Sequence, residues 1–233
     1  AGARRGVAPG AKLIGLSTGE AVSILNALGA LEWVYDHTKP NANPYNIRVV
    51  SNSWGTSGDY YDPNNAIAQV TEKLTYENNV VVVFAAGNDG GDGNGYDDGT
   101  GTMKPHTNPY SNTPAAVGVA AMERDGSGVA DFSSRGLANR TDTYPDIGAP
   151  GVKIWSTAAR RTLISTMTKR PVTDINPYYF AISGTSMATP HISGVVALLW
   201  QACPELTVSY MHEDYSGPDK AAWDNNTSTQ VHE

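Results

Sequence analysis

The sequence predicts an α/β fold, doubly wound, in which a mostly parallel sheet is flanked by helices. Short β-branched runs alternate along the chain with segments whose apolar residues recur every three to four positions. The run from Val80 to Asn88 is apolar without alternation, which is typical of a strand covered on both faces of a parallel sheet. The chain has 233 residues, enough to bury a sizeable core. Repeated strand–helix–strand units with right-handed crossovers form such a sheet.

The first part of the chain supplies two strand–helix units. We expect a short apolar strand at residues 11–16 and an amphipathic helix at residues 20–35. A second strand is predicted at residues 47–55, where it ends in glycine, and a second helix at residues 64–78. The buried strand at residues 80–88 follows the second helix directly.

The rest of the chain begins with a polar loop and continues with shorter strands. Residues 89–110 are rich in glycine and aspartate and predict a loop, and residues 162–177 predict a surface connection. A nearly all-apolar run at residues 192–200 predicts a buried helix. Short strands are expected at residues 116–121, 146–149, 152–156 and 178–182.

Composition excludes several classes of partner. The net charge is −7, with 16 Lys and Arg against 23 Asp and Glu, so nucleic acid and anionic membranes are not expected partners. No stretch approaches the roughly 20 apolar residues of a membrane span. The single cysteine, Cys203, cannot form a disulfide within the chain and is expected to be a small buried hydrophobe.

The segment Gly184 to His191, with the sequence GTSMATPH, is the most informative stretch for function. It joins a predicted strand to the apolar helix and places Ser186 in the first turn of that helix. Free backbone N–H groups and the positive end of the helix dipole stabilise negative charge there, which suits a nucleophile that forms a tetrahedral oxyanion. The alternative is that Thr185 or Ser186 only caps the helix.

This octapeptide resembles the nucleophile motif of the subtilisin-like serine peptidases (subtilases). It differs from the Gly-x-Ser-x-Gly elbow of α/β-hydrolases because position 188 is alanine. Segments 131–136 and 145–151 match the same family and are interpreted as scaffold. The resemblance implies a subtilisin-like peptidase domain over residues 1–203, with residues 204–233 as an extension of unknown role. It also implies a serine endopeptidase acting on extended polypeptides, without a required cofactor, and it favours secretion.

The resemblance assigns site residues to three segments. Ser186 is the expected nucleophile, and Asn88 is the expected side-chain donor to the oxyanion. Without the octapeptide, Asn88 would be interpreted as an Asx turn after a strand, and Trp54 has a second interpretation as a core aromatic residue. The residues expected to bind substrate, by strand addition and as pocket walls, are Ser53, Trp54, Gly55, Ala85, Ala86, Gly87 and Thr185.

The histidine and aspartate motifs of the family are not found in the sequence. The triad of subtilisins runs Asp, His, Ser, so both partners should precede Ser186. Segment 6–11 resembles the family segment that follows the histidine helix. We therefore expect a domain truncated at its N-terminus, with the missing N-terminal portion of the same domain as partner, and we expect no histidine of this chain to reach the Ser186 hydroxyl.

Two other functions remain open. The chain could be a catalytically dead peptide-binding module of the same fold, which an upstream histidine motif in the gene would argue against. It could also belong to the sedolisins, but these place an aspartate at the oxyanion position, and Asn88 argues against them.

The acidic loop raises the question of a structural metal. Its carboxylates resemble a set of oxygen ligands for Ca²⁺, although their spacing fits no EF-hand. The alternative is a solvated acidic loop, so the metal content stays unknown and structural calcium stays possible. The residues concerned are Asp89, Asp92, Asp97 and Asp98.

Overall fold

A four-stranded parallel sheet with helices on both faces forms the core of the protein. The structure is a computed structural model, and it describes residues 5–18, 22–157 and 179–208. The strand order is β1-β2-β5-β6, which confirms the predicted α/β fold. In chain order the described helices and strands are α1 Ile24–Asp36, β1 Val49–Asn52, α2 Ala66–Tyr76, β2 Val81–Ala85, β3 Tyr96–Asp97, β4 Met103–Lys104, β5 Ala116–Met122, β6 Ile147–Pro150, β7 Ile154–Thr157, β8 Tyr179–Ile182 and α3 Thr185–Ala202.

Strand β2 is central because it pairs with β1 on one side and β5 on the other. All five of its residues are buried, as the absence of alternation predicted. Val81 and Val83 pack in the cluster that includes α3, while Val82 and Phe84 pack against α1 and α2. The strand thus contributes to two apolar layers at once, one on each face of the sheet.

Helices α1 and α2 cover one face of the sheet. Helix α2 begins after Asn65, whose side-chain oxygen accepts a hydrogen bond from the Ile67 N–H at 2.9 Å. Helix α3 covers the other face and places Ala188, Ile192 and Val196 against the sheet. It follows β8, which pairs antiparallel with β7, so the chain turns from this ribbon directly into the helix.

Several sequence predictions need correction or extension. Residues 11–16 form no strand: Leu13 is 92% exposed, and the described residues offer this segment no neighbouring strand to pair with. The predicted loop at 89–110 contains a small antiparallel hairpin, β3–β4. Cys203, expected to be buried, is exposed because it lies just past the last turn of α3. The predicted connection at 162–177 lies outside the described residues.

The packed chain extends past the expected boundary at residue 203. Val208 is 2% exposed and belongs to the cluster under α3. Its backbone N–H donates to Asn79 Oδ1 at 2.7 Å. Val208 and the half-buried Leu206 therefore pack on the domain. In the ranges that the structure describes, no helix combines the length and the apolar character that crossing a membrane requires.

Candidate active site

The candidate site lies where the carboxyl ends of β1 and β2 meet the first turn of α3. The two strands are parallel neighbours, with Asn52 opposite Phe84, so the segments that follow them leave the sheet side by side. These segments hold the predicted residues 53–55 and 86–88. Ligand sites of open α/β sheets form at this edge because parallel strands end together there.

Ser186 is the second residue of α3 and is half-buried. Its hydroxyl donates a hydrogen bond to the Ser53 carbonyl oxygen at 3.0 Å. In return, the Ser53 hydroxyl donates to the Ser186 carbonyl oxygen at 2.8 Å. The end of β1 and the start of α3, 133 positions apart in sequence, are thereby joined in both directions.

Asn88 and Thr185 join the end of β2 to the same turn of α3. Asn88 Oδ1 accepts from the Thr185 N–H at 2.8 Å and from the Thr185 hydroxyl at 3.0 Å. Because a backbone N–H can only donate, the amide must turn its oxygen toward Thr185 and its NH₂ group away. Asn88 is exposed, and its NH₂ group donates to no described residue. The structure therefore brings Asn88 to the residue next to Ser186 through its amide oxygen.

Gly87 occupies a position that only glycine fits. Its φ is +108°, and a Cβ there would lie 2.6 Å from the Ser134 Oγ. Ser134 is 1% exposed, and its Oγ accepts a hydrogen bond from the Asp89 N–H at 3.0 Å. The Gly87 N–H donates to the Thr185 Oγ1 at 3.2 Å. The segment 131–136, interpreted as scaffold, therefore supports the turn that presents Asn88.

The other predicted substrate-binding residues differ in accessibility. Ala85 and Ala86 are 4% and 0% exposed, whereas Gly55 is exposed. Trp54 is half-buried and meets Phe84 and Tyr110 edge-on, at centroid distances of 5.3 and 5.7 Å. Trp54 thus anchors the segment after β1 on the core through aromatic contacts.

Asn108 also helps to form the site, although the sequence did not predict this role. It is 1% exposed, and its Nδ2 donates to the Ala85 oxygen at 2.9 Å and to the Trp54 oxygen at 3.3 Å. A Cβ on Gly55 would lie 2.3 Å from the same nitrogen. Asn108 therefore ties together the segments that follow β1 and β2. Its Asn-Pro turn signal was readable in the sequence, but these long-range contacts were not.

The histidines in the described residues contact groups other than the Ser186 hydroxyl. The His37 Nδ1 lies 2.7 Å from the Trp33 oxygen, and the His191 Nδ1 lies 2.8 Å from the Met187 oxygen. His106 packs against Tyr96 with ring centroids 5.4 Å apart. The remaining two histidines lie outside the described residues. In the described part of the chain, the acceptor for Ser186 is a carbonyl rather than an imidazole.

The loop carboxylates are held by their own turns. Hydrogen bonds from the Asn94 backbone and side chain hold the pKa of Asp92 below its usual value. The Thr100 hydroxyl and N–H lower the pKa of Asp98 in the same way. Asp97 accepts from two N–H groups of its loop. Across residues 5–18, 22–157 and 179–208, no three His, Cys, Asp or Glu side chains are grouped as a metal site.

The chain belongs to the subtilase family, whose model, described as "Subtilase family", matches residues 1–214. It is 31% identical over 230 residues to the serine protease AprX of Bacillus subtilis (strain 168), covering 91% of this chain and 47% of that protein. It is 32% identical over 219 residues to the subtilisin-like protease PopC of Myxococcus xanthus (strain DK1622), covering 89% of this chain and 41% of that protein.

Solved structures agree with this membership. Sphericase matches with a TM-score of 0.56 and 29% identity, over 79% of this chain and 51% of that one. The predicted family is thus confirmed, and the chain is related to serine peptidases at the level of the family. The chain spans less than half of the length of AprX and of PopC.

Proposed function

We propose that this chain supplies the nucleophile, Ser186, and the side-chain oxyanion donor, Asn88, of a serine endopeptidase that hydrolyses extended polypeptides. The observation that carries the proposal is the hydrogen bonding of the Asn88 amide oxygen to Thr185, the residue before Ser186. This contact leaves the amide NH₂ as a donor beside the nucleophile's own helix turn. Acyl transfer by a serine needs such a donor where negative charge develops.

The first turn of α3 offers a second donor. The Thr185 N–H is bonded to Asn88, and the Met187 N–H donates to the Gly184 oxygen at 2.9 Å. The Ser186 N–H lies between them, in the first turn, where a helix provides no acceptor of its own. The Ser186 N–H and the Asn88 NH₂ group are the two donors we assign to the oxyanion, which forms on the carbonyl that Ser186 attacks.

The base is proposed to come from sequence that precedes residue 1. Hydrolysis by a serine requires a group that takes the hydroxyl proton, and in this family it is a histidine oriented by an aspartate. The Ser186 hydroxyl donates to the Ser53 oxygen, and the described histidines are engaged elsewhere. An imidazole supplied from upstream would replace the Ser53 oxygen as the acceptor of that proton.

The peptide substrate is proposed to add along the exposed segment after β1. Residues 53–55 continue a strand whose outer edge has no described neighbour, since β1 is the terminal strand of the sheet. Extended peptides bind such edges through backbone hydrogen bonds. The net charge of −7 favours polypeptides over nucleic acid as partners.

The test compares the chain with a version extended upstream through histidine and aspartate motifs, on a denatured protein substrate. We expect cleavage by the extended protein, loss of cleavage in Ser186→Ala, and full activity in the matched control Ser127→Ala, an exposed serine in a remote turn. We expect the short chain to show little cleavage. Robust cleavage by the short chain that depends on Ser186 would overturn the proposed origin of the base.

A catalytically dead peptide-binding module is the second candidate. It is favoured by the hydrogen bond of the Ser186 hydroxyl to a carbonyl rather than to a base. The same assay separates the two functions. If the extended protein binds a denatured polypeptide but leaves it intact, the binding module is correct and the peptidase proposal fails.

A further inference from the structure

Helix α3 contains a proline within its second turn, at position 190. Proline has no N–H, so it cannot donate to the carbonyl four residues earlier, and its ring crowds that carbonyl. The carbonyl concerned belongs to Ser186. The carbonyl of Ser186, the residue proposed as the nucleophile, therefore lacks its helical hydrogen bond, because the residue four positions later is a proline without an N–H.

Another side chain occupies the position of the lost donor. The Ser53 hydroxyl, at the end of β1, donates to the Ser186 carbonyl oxygen at 2.8 Å. A carbonyl turned away from the helix by the proline ring is accessible to such an external donor. The bond crosses 133 positions of sequence and connects the sheet edge to the helix turn that carries the nucleophile.

We propose that Ser53 is a positioning residue for the reaction, because its hydroxyl replaces the hydrogen bond that Pro190 cannot make and thereby fixes the first turn of α3. This role is separate from the backbone contact with substrate expected of residues 53–55. This proposal depends on the proposed function in one respect: the hydroxyl group that Ser53 positions belongs to Ser186, the proposed nucleophile.

The two hydrogen bonds between Ser53 and Ser186 differ in whether they can persist during the reaction. The bond from the Ser186 hydroxyl to the Ser53 oxygen must break when Ser186 transfers its proton and attacks. The bond from the Ser53 hydroxyl to the Ser186 carbonyl oxygen involves only the backbone of Ser186 and is compatible with every step. It holds the Cα of the nucleophile while the hydroxyl rotates, which keeps the reacting atoms in place.

The proposal is tested by a double-mutant cycle on Ser53→Ala and Pro190→Ala in the protein extended upstream. Ser53→Ala alone is expected to lower kcat about tenfold, which corresponds to about 1.4 kcal/mol, with little change in KM. In the Pro190→Ala background, the substituted alanine provides a helical N–H for the Ser186 carbonyl. There the further loss caused by Ser53→Ala is expected to fall below about twofold.

Two matched variants separate positioning from a general structural effect. Ser53→Thr retains the hydroxyl at an exposed position and is expected to recover most of the lost kcat. Ser51→Ala removes an exposed serine hydroxyl two residues earlier on β1 and is expected to leave kcat unchanged. An equal loss in both proline backgrounds, or no loss in Ser53→Ala, overturns the proposal.

Amide hydrogen exchange across the first two turns of α3 tests whether Ser53 fixes this part of the helix, and it requires no measurement of activity. Ser53→Ala is expected to accelerate exchange there about tenfold when Pro190 is present and to have little effect in Pro190→Ala. If Ser186→Ala leaves cleavage intact, the proposed function fails, but the exchange result still supports or overturns the role of Ser53. If Ser53→Ala accelerates exchange equally with and without Pro190, the Ser53 hydroxyl does not replace the hydrogen-bond donor that the proline lacks.

Discussion

The sheet edge that carries Ser186 and the amino-terminal segment 5–18 differ in what stabilises them. At the sheet edge, hydrogen bonds join residues that are 97 and 133 positions apart. In the amino-terminal segment, the bond from the Ala11 N–H to the Ala8 oxygen is local, and Leu13 is 92% exposed. Strand β2, which ends at this edge, and residues 11–16 both have apolar sequences. The difference teaches that such a run becomes a strand only where neighbouring strands and helices pack against it.

Segment 5–18 approaches α3 near its start. A Cβ on Gly194 would lie 2.8 Å from the Val7 Cβ, so glycine at position 194 allows residue 7 to lie directly on the helix. Farther along, Ile14 and Leu16 are 46% and 38% exposed. Residues 11–16 are thus apolar but exposed, whereas the apolar residues of β2 are all buried.

The largest expected effect comes from removing a central side chain and comparing it with an exposed one. Phe84 is 0% exposed, so Phe84→Ala is expected to lower the free energy of unfolding by about 3–5 kcal/mol. Leu13→Ala is expected to change it by less than about 0.5 kcal/mol. Urea unfolding of both variants measures the difference. Similar losses for the two would show that segment 5–18 is packed in solution.

The next effect concerns catalysis at the site edge. Asn88→Ala is expected to lower kcat of the extended protein by about a hundred- to thousandfold with little change in KM, a range established on a subtilisin for loss of one oxyanion donor. Asn88→Asp keeps an acceptor for the Thr185 N–H but removes the NH₂ donor. It should therefore lose kcat at least as strongly while retaining more stability. Normal kcat in Asn88→Asp would refute the donor role.

A smaller effect is expected at Asn108, which connects the two strand ends. Asn108→Ala leaves the Ala85 and Trp54 carbonyls without their shared donor, and we expect the free energy of unfolding to fall by about 2 kcal/mol. The control Asn94→Ala, in the exposed loop, should cost less than about 0.5 kcal/mol. Equal values in thermal or urea unfolding would contradict the role assigned to Asn108.

The smallest effect on stability is expected at the exposed apolar residues of the amino-terminal region. Leu13 and Leu25 are 92% and 79% exposed. Leu13→Ser combined with Leu25→Ser should change the free energy of unfolding by less than about 0.5 kcal/mol. Because exposed leucines favour association between chains, the double variant should sediment with a smaller dependence on concentration than the unchanged chain. Sedimentation velocity at several concentrations tests this expectation. A loss of more than about 1 kcal/mol would mean that these side chains are buried in solution.

The parts of the fold that sequence predicted are those whose pattern is local. The run at 81–85 lacks alternation because it is buried on both faces. The apolar run at 192–200 forms a helix as predicted, but it is buried only on the side that faces the sheet: Val195, Leu198 and Leu199 are 43%, 40% and 44% exposed. Residues 11–16 have a comparable local pattern, but no strand forms, because pairing depends on neighbours that a local pattern cannot specify.

The candidate site was predictable to a different extent. Ser186 and Asn88 were identified through the octapeptide and the end of a buried strand, and their assignment as catalytic residues stays a prediction. The bond between Ser53 and Ser186 and the contacts of Asn108 were not predictable, because they join residues 23 to 133 positions apart. Side-chain types at such positions carry no local signal of their partner.

The central claim, that Ser186 is a nucleophile, is tested most directly by mass-spectrometric mapping of a fluorophosphonate adduct on the extended protein. We expect a single adduct on the Ser186 hydroxyl, its complete loss in Ser186→Ala, and much slower labelling in Asn88→Ala because the oxyanion donor is absent. Labelling that maps to another serine, or that persists at the same rate in Ser186→Ala, would contradict this claim.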